Sequence, residues 1–162
     1  MTWAFLAALA GATGVRLWLA MRQVRHVRAH RDRVPDGFSE TIPLAAHQKA
    51  ADYCVARTRI GVADLLIGAA VLLALTLGGV LQAISDAWAE LLAPEGLWHG
   101  VALVLSTTIL LSTLELPLAV YRTFVIEARF GFNRTTPALF VADLARQAAL
   151  SLALGVPLVL VV

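Results

Sequence analysis

Residues 121–137 read YRTFVIEARFGFNRTTP, a charged and aromatic stretch set between two apolar runs. A connection between membrane helices needs only polar, flexible residues. This one instead gathers Arg122, Glu127, Arg129 and Arg134 around Phe130, Gly131, Phe132 and Asn133. Gly131 and Asn133 are the residue types that tolerate left-handed backbone, and phenylalanines beside them are normally withdrawn from water. The stretch therefore predicts a shaped loop tucked against another part of the chain.

Composition agrees with the apolar flanks. Of 162 residues, 59% are hydrophobic and 15% charged, which is too much apolar surface for a soluble domain of this size. The expected class is all-α: a polytopic membrane protein with four transmembrane helices, embedded in the lipid bilayer. The single cysteine, Cys54, excludes an internal disulfide and a multi-cysteine metal site. No basic stretch with interleaved aromatics is present, so nucleic acid is not an expected partner.

Outward from the loop, the amino-terminal apolar run covers residues 2–21, about the ~20 residues needed to span a bilayer. No Lys or Arg precedes it and Arg22, Arg25, Arg28, Arg31 and Arg33 follow it, the reverse of a cleaved signal peptide. The positive-inside rule then puts the amino terminus outside. Val34-Pro35, Asp36-Gly37 and Ser39 are turn chemistry, and Thr41 and Pro43 mark the start of a second helix. Its first turns are amphipathic and extend into the cytoplasm, and no breaker is read before Ile84. The connection over residues 85–97 carries Asp86, Glu90 and Glu95 and no basic residue, as suits the outer side. A third span over residues 98–120 returns to the cytoplasm, with Trp88 and Trp98 at its outer end. Thr136 then caps a fourth helix whose first residue is Pro137. The wholly apolar part of that helix, residues 148–162, reaches only ~22 Å of a ~30 Å core, so the chain is expected to be truncated in its fourth helix.

Ionisable residues inside spans cost several kcal/mol when unpaired and are functional suspects. Arg16 and Glu115 each lie ~7 to 8 Å inside the cytoplasmic end of their spans, at matching depth. They could pair with each other, or Asp64 could take Arg16; both could equally face a wet cavity, or Arg16 could snorkel to the headgroups. Pro117 is expected to kink its helix. His26 and His30 share a helix face without the sequence of a zinc motif, and a lipid-facing or phosphate-contacting basic helix is the favoured reading. His47 and His99 read as polar surface residues. Hydroxyls over residues 106–113 are expected to bond back to their helix or across to a neighbour.

The run LPLAVYRTFVIEARFGFNRTTPALFVADL, with the earlier VPDGF and HQKAADYCVARTR, resembles the amino-terminal membrane domain of the type I CAAX prenyl endopeptidase family, zinc metalloproteases of the membrane. The resemblance covers nearly the whole chain. It implies a helical bundle around a water-filled chamber, with zinc held by an H-E-x-x-H motif and a distant glutamate. Neither the motif nor any other metal or catalytic residue is found in this sequence, so residues 1–162 are expected to be the amino-terminal domain, inactive alone and binding no zinc itself. The implied partners are the missing carboxyl-terminal catalytic part and a peptide or protein substrate. By position, Glu127, Arg129, Phe130, Gly131, Phe132 and Asn133 form the substrate-facing loop, or else serve architecture alone. The expected location is a cell membrane, multi-pass, with a bacterial inner membrane preferred. The alternative is a non-enzymatic four-helix membrane adaptor or scaffold.

Overall fold

The computed structural model describes residues 1–94 and 96–161, with backbone alone for 158–161. Two expectations, on Glu95 and on Val162, lie outside the described residues. Every regular element among them is helical. Helix α1 is Thr2–Ala29, α2 is Leu44–Thr76, α3 is Val80–Ala89, α4 is Leu97–Tyr121 and α5 is Pro137–Val161. A 3-10 turn, Asp36–Phe38, lies between α1 and α2, and a π-helical segment, Arg122–Glu127, continues α4.

Four of these helices are long and apolar enough to cross a membrane: Thr2–Ala29, Leu44–Thr76, Leu97–Glu127 and Pro137–Pro157, with mean hydropathies of 1.6, 1.9, 1.8 and 1.5. Their apolar side chains remain largely uncovered. Trp3, Ile109, Val141 and Leu154 are each more than half exposed, and among the described residues the buried hydrophobic ones are Ala51, Val101, Ile126 and Phe130. In water such exposure would drive aggregation, whereas lipid tails cover it at no cost. Four membrane-crossing helices are therefore what composition predicted.

The boundaries differ in three places. The second helix does not run on to Ile84; it stops at Thr76 and the chain restarts as α3. Gly78 and Gly79 are the reason. Gly79 adopts φ +74, which only glycine takes freely, and a Cβ on Gly78 would lie 2.6 Å from the Ala74 carbonyl oxygen. The amide groups of Leu77 and Gly78 both donate to the Leu73 carbonyl, closing the helix end. Secondly, the expected loop is shorter than drawn, because residues 122–127 are π-helical and the irregular backbone is confined to 130–136. Thirdly, the crossing segment of α5, which starts at Pro137 as expected, is not confined to the wholly apolar part from residue 148 on. The 21-residue segment Pro137–Pro157 qualifies as a crossing helix, and its two charges, Asp143 and Arg146, pair at 3.0 Å one turn apart. Thr136 caps it as predicted, its Oγ1 accepting from the Leu139 amide at 3.2 Å. Pro117 is accommodated inside α4.

The described chain divides into two compact units. One comprises Met1–Ala70 and Leu118–Asn133, and the other comprises Val71–Pro117 and the chain from Arg134 onward. In the second unit, α3 and α4 are joined by neutral hydrogen bonds. Trp88 Nε1 donates to Ser106 Oγ at 2.8 Å, and Ser106 donates in turn to the Ala102 carbonyl at 2.6 Å. His99 is only 8% exposed and its Nε2 lies 3.0 Å from the Ser85 carbonyl, so it is a buried fastener rather than the surface residue expected. Thr107, Thr108 and Thr113 donate back to carbonyls four residues earlier, as hydroxyls in a dry span should.

Candidate functional site: the arginine and aromatic junction

The basic end of α1 is tied to the first turns of α2 by side chains that neither helix can satisfy alone. Arg31 grips Asp52 with two parallel bonds, Nε to Oδ1 at 2.8 Å and Nη2 to Oδ2 at 2.9 Å. This bidentate fork fixes orientation as well as distance. Asp32 accepts from Arg31 Nη1 at 3.0 Å and from Gln48 Nε2 at 2.9 Å, so one carboxylate bridges both helices. His47 donates through Nε2 to the His30 carbonyl at 2.9 Å, satisfying a backbone group at the end of α1. The Asp52 hydrogen bond, opposed by burial and reinforced by the charges of Asp52 and Asp32, raises the pKa of the Arg31 guanidinium above its ordinary value.

The conspicuous loop docks on the same part of α2. Its backbone closes the π-helical segment with a glycine-centred cap. The Gly131 amide donates to the Ala128 carbonyl at 3.0 Å and the Phe132 amide donates to the Glu127 carbonyl at 2.9 Å, with Gly131 at φ +71. These are the two bonds of the Schellman motif, which requires a left-handed residue at the position Gly131 holds. Asn133 is not left-handed; its amide also donates to the Glu127 carbonyl, at 3.1 Å.

Tyr53 receives both phenylalanines. Phe130 meets it edge-on with centroids 5.4 Å apart, and Phe132 meets it at 4.8 Å and a 58° tilt. Phe130 is buried at 8% exposure, while Phe132 keeps 52% of its surface free. Lys49 sits 5.6 Å from the Phe132 ring centroid and Arg129 5.8 Å from that of Phe130, within cation–π reach. Such aromatic pairs contribute about 0.5–1.5 kcal/mol each beyond their burial. Glu127, Arg129, Phe130, Gly131, Phe132 and Asn133 are thus brought into one turn. Among the described residues Glu127 makes no ion pair.

The intramembrane charges are not gathered there. Arg16, Asp64 and Glu115 are exposed, and Arg16 and Asp64 are not paired with each other. His26 and His30 have rings 4.3 Å apart, and His30 Nδ1 donates to the His26 carbonyl at 2.9 Å. Among the described residues no three His, Cys, Asp or Glu side chains are grouped so as to hold a metal ion. Reading by sequence missed Tyr53, Asp52 and Lys49 as members of the junction. All three lie in the HQKAADYCVARTR run, whose helical spacing could have marked one face but could not name what meets it.

These observations define a multi-pass helical membrane protein whose polar chemistry is concentrated at one junction of α1, α2 and the turn after the π-helical segment. A family model described as the amino-terminal region of CAAX prenyl proteases, with five membrane helices, matches residues 23–162, and the chain belongs to that family. It is 28% identical over 157 residues to a CAAX prenyl protease 1 homolog of Caenorhabditis elegans, covering 96% of this chain and 34% of the relative. A probable CAAX prenyl protease 1 of Schizosaccharomyces pombe is 27% identical over 146 residues, covering 83% and 30% respectively. A shorter stretch of 71 residues is 39% identical to a CAAX prenyl protease 1 homolog of rice, covering 44% of this chain and 17% of the relative. The chain thus spans about a third or less of the curated relatives it matches. No solved structure matches the chain.

Proposed function

We propose that this chain is the membrane domain of a zinc metalloendopeptidase of the CAAX prenyl protease type. It supplies chamber wall and a substrate-facing loop on the cytoplasmic side, with the amino terminus outside and the zinc site formed by residues outside this chain. The observation that carries the reading is the Glu127–Asn133 turn. Its backbone is closed by the Gly131 cap and held on Tyr53, yet it leaves Arg129 and Phe132 exposed. A turn needed only to connect α4 to α5 has no use for an exposed aromatic and an exposed cation presented on a fixed backbone.

The described residues do not fit a zinc ion, so no step of hydrolysis is assigned to them. What they can do is position an extended peptide. Phe132 offers an apolar face, Arg129 a fork for a carbonyl or carboxylate, and the Gly131 backbone allows close approach. The partners implied are the lipid bilayer, the catalytic part of the same protein and a peptide or protein substrate.

The test is zinc content and peptidase activity measured side by side on this chain and on the product of the gene's unbroken reading frame. The longer product is expected to bind one zinc and cleave peptide, and Phe132→Ala in it is expected to raise KM with little change in kcat. If neither product binds zinc or cleaves, the protease reading fails and the adaptor takes its place.

A further inference from the structure

Four arginines line one pocket of about 560 Å3 within the first unit. Arg28 and Arg31 reach it from α1 and the residues just after it, Arg59 from α2, and Arg129 from the turn that follows the π-helical segment. Asp52 is the one carboxylate in the lining, and Arg31 already occupies both of its oxygens. Among the described residues Arg28, Arg59 and Arg129 make no ion pair. Arg31 is bonded to Asp32 as well as to Asp52, so four arginines face two carboxylates and the concavity keeps a net positive charge. Like charges around one concavity repel, and a partly apolar wall strengthens the field they share. Arg28, Arg59 and Arg129 are exposed, so water solvates them in the absence of a ligand and an anion of matching shape can take that water's place.

The geometry narrows that anion. Three exposed arginines outside the Arg31–Asp52 fork come from three separate segments, so the ligand needs oxygens facing several ways. A tetrahedral phosphate provides them, whereas a planar carboxylate is already matched by one fork, as Asp52 is by Arg31. The location narrows it again. Arg28 is next to last in the helix Thr2–Ala29, beyond the apolar run of residues 2–21 and in the basic end where headgroups are expected. Val27, Val55 and Ala56 give the pocket an apolar side suited to a glycerol backbone and the first carbons of a chain. Earlier in α1 the same signature recurs, with Arg22 lying over the exposed ring of Trp18 at 5.6 Å.

We propose that the Arg28, Arg31, Arg59 and Arg129 pocket is a binding site for the phosphate headgroup of an anionic phospholipid. The Arg31–Asp52 fork forms its rigid floor, and the three exposed guanidinium groups hold the headgroup. Because Arg129 belongs to the exposed turn, a bound lipid also steadies that turn. The site shares Arg129 with the substrate-facing turn proposed above, but its test reads lipid retention and needs neither zinc nor substrate, so the two readings can fail separately.

The test uses the full chain in detergent micelles, with bound phosphatidylglycerol and phosphatidylcholine quantified by native mass spectrometry. The unmodified chain is expected to retain phosphatidylglycerol over phosphatidylcholine. The Arg59→Gln, Arg129→Gln double variant is expected to weaken phosphatidylglycerol binding by about tenfold to thirtyfold. The Arg33→Gln, Arg146→Gln pair removes the same charge elsewhere and is expected to leave binding unchanged. The Arg59→Lys, Arg129→Lys pair keeps the charge without the forks and is expected to fall between, which also separates loss of the site from loss of the fold. Equal weakening in the Arg33 and Arg146 pair overturns the proposal in favour of diffuse surface charge. Unchanged binding in the Arg59 and Arg129 glutamine pair overturns it outright. Displacement of phosphatidylglycerol by millimolar inorganic phosphate assigns the pocket to free phosphate and overturns the lipid source.

Discussion

The two units are fastened by different chemistry. In the first, α1, α2 and the 130–132 turn are joined by a guanidinium fork, a shared carboxylate and a three-ring aromatic cluster. In the second, α3 and α4 are joined by an indole N–H, a hydroxyl and an imidazole, with no ion pair between them among the described residues. Charged fasteners are inexpensive where water or headgroups can solvate their far sides, and costly in hydrocarbon. Neutral donors bonded to hydroxyls and backbone carbonyls suit the dry case. The difference marks the first junction as the wet end of its unit, where chemistry on an aqueous substrate or a lipid headgroup is possible.

The comparison breaks most sharply at Tyr53. Tyr53→Ala removes the surface on which both phenylalanines rest and is expected to cost about 2–3 kcal/mol, less than a fully buried aromatic because Tyr53 is half-buried. Hydrogen exchange should then speed up at the amides of residues 130–133 while α3 and α4 are unaffected. Gly131→Val forces a β-branched residue into φ +71 and is expected to cost about 1–2 kcal/mol or more, read as a lowered melting temperature in detergent. In the second unit, Trp88→Phe keeps the ring and deletes one hydrogen bond, an expected loss of about 1 kcal/mol that leaves the Tyr53 cluster intact. Thr136→Ala removes the cap of α5 for a similar or smaller loss of about 0.5–1 kcal/mol, visible as faster exchange of the Leu139 amide. The smallest effect is that of salt. Raising ionic strength from about 0.05 M to about 0.5 M should speed exchange around Arg31 and Asp52 slightly and leave Trp88 and Ser106 unchanged, because Debye screening acts on exposed charges alone.

Several elements were legible without coordinates because their signals are local. Unbroken apolar length predicts the crossing helices, and Thr136-Pro137 predicts the start of α5, since capping depends on residues within one turn. Gly78-Gly79 was legible in principle but passed over, because glycine is common inside membrane helices and nothing local distinguishes a break from a tolerated residue. The π-helical Arg122–Glu127 left no signal at all. Its composition is ordinary for an α-helix, and the wider turn is stabilised by the cap and ring contacts that follow it. His99 looked isolated because its partner, Ser85, is fourteen residues away on another helix.

Amino-acid sequence alone therefore determined that this protein is a helical, multi-pass membrane domain and that residues 127–133 are its most distinctive turn, through hydrophobic length, arginine placement and glycine chemistry. Tertiary structure decided which residues that turn leans on, that Arg31 belongs to Asp52, and that three further arginines are left facing one pocket. The reason is physical. Burial, capping and helix propensity act over one or two turns of chain, whereas the partner of a tyrosine or a guanidinium is chosen by whichever distant segment the packing of helices brings within about 3 to 6 Å.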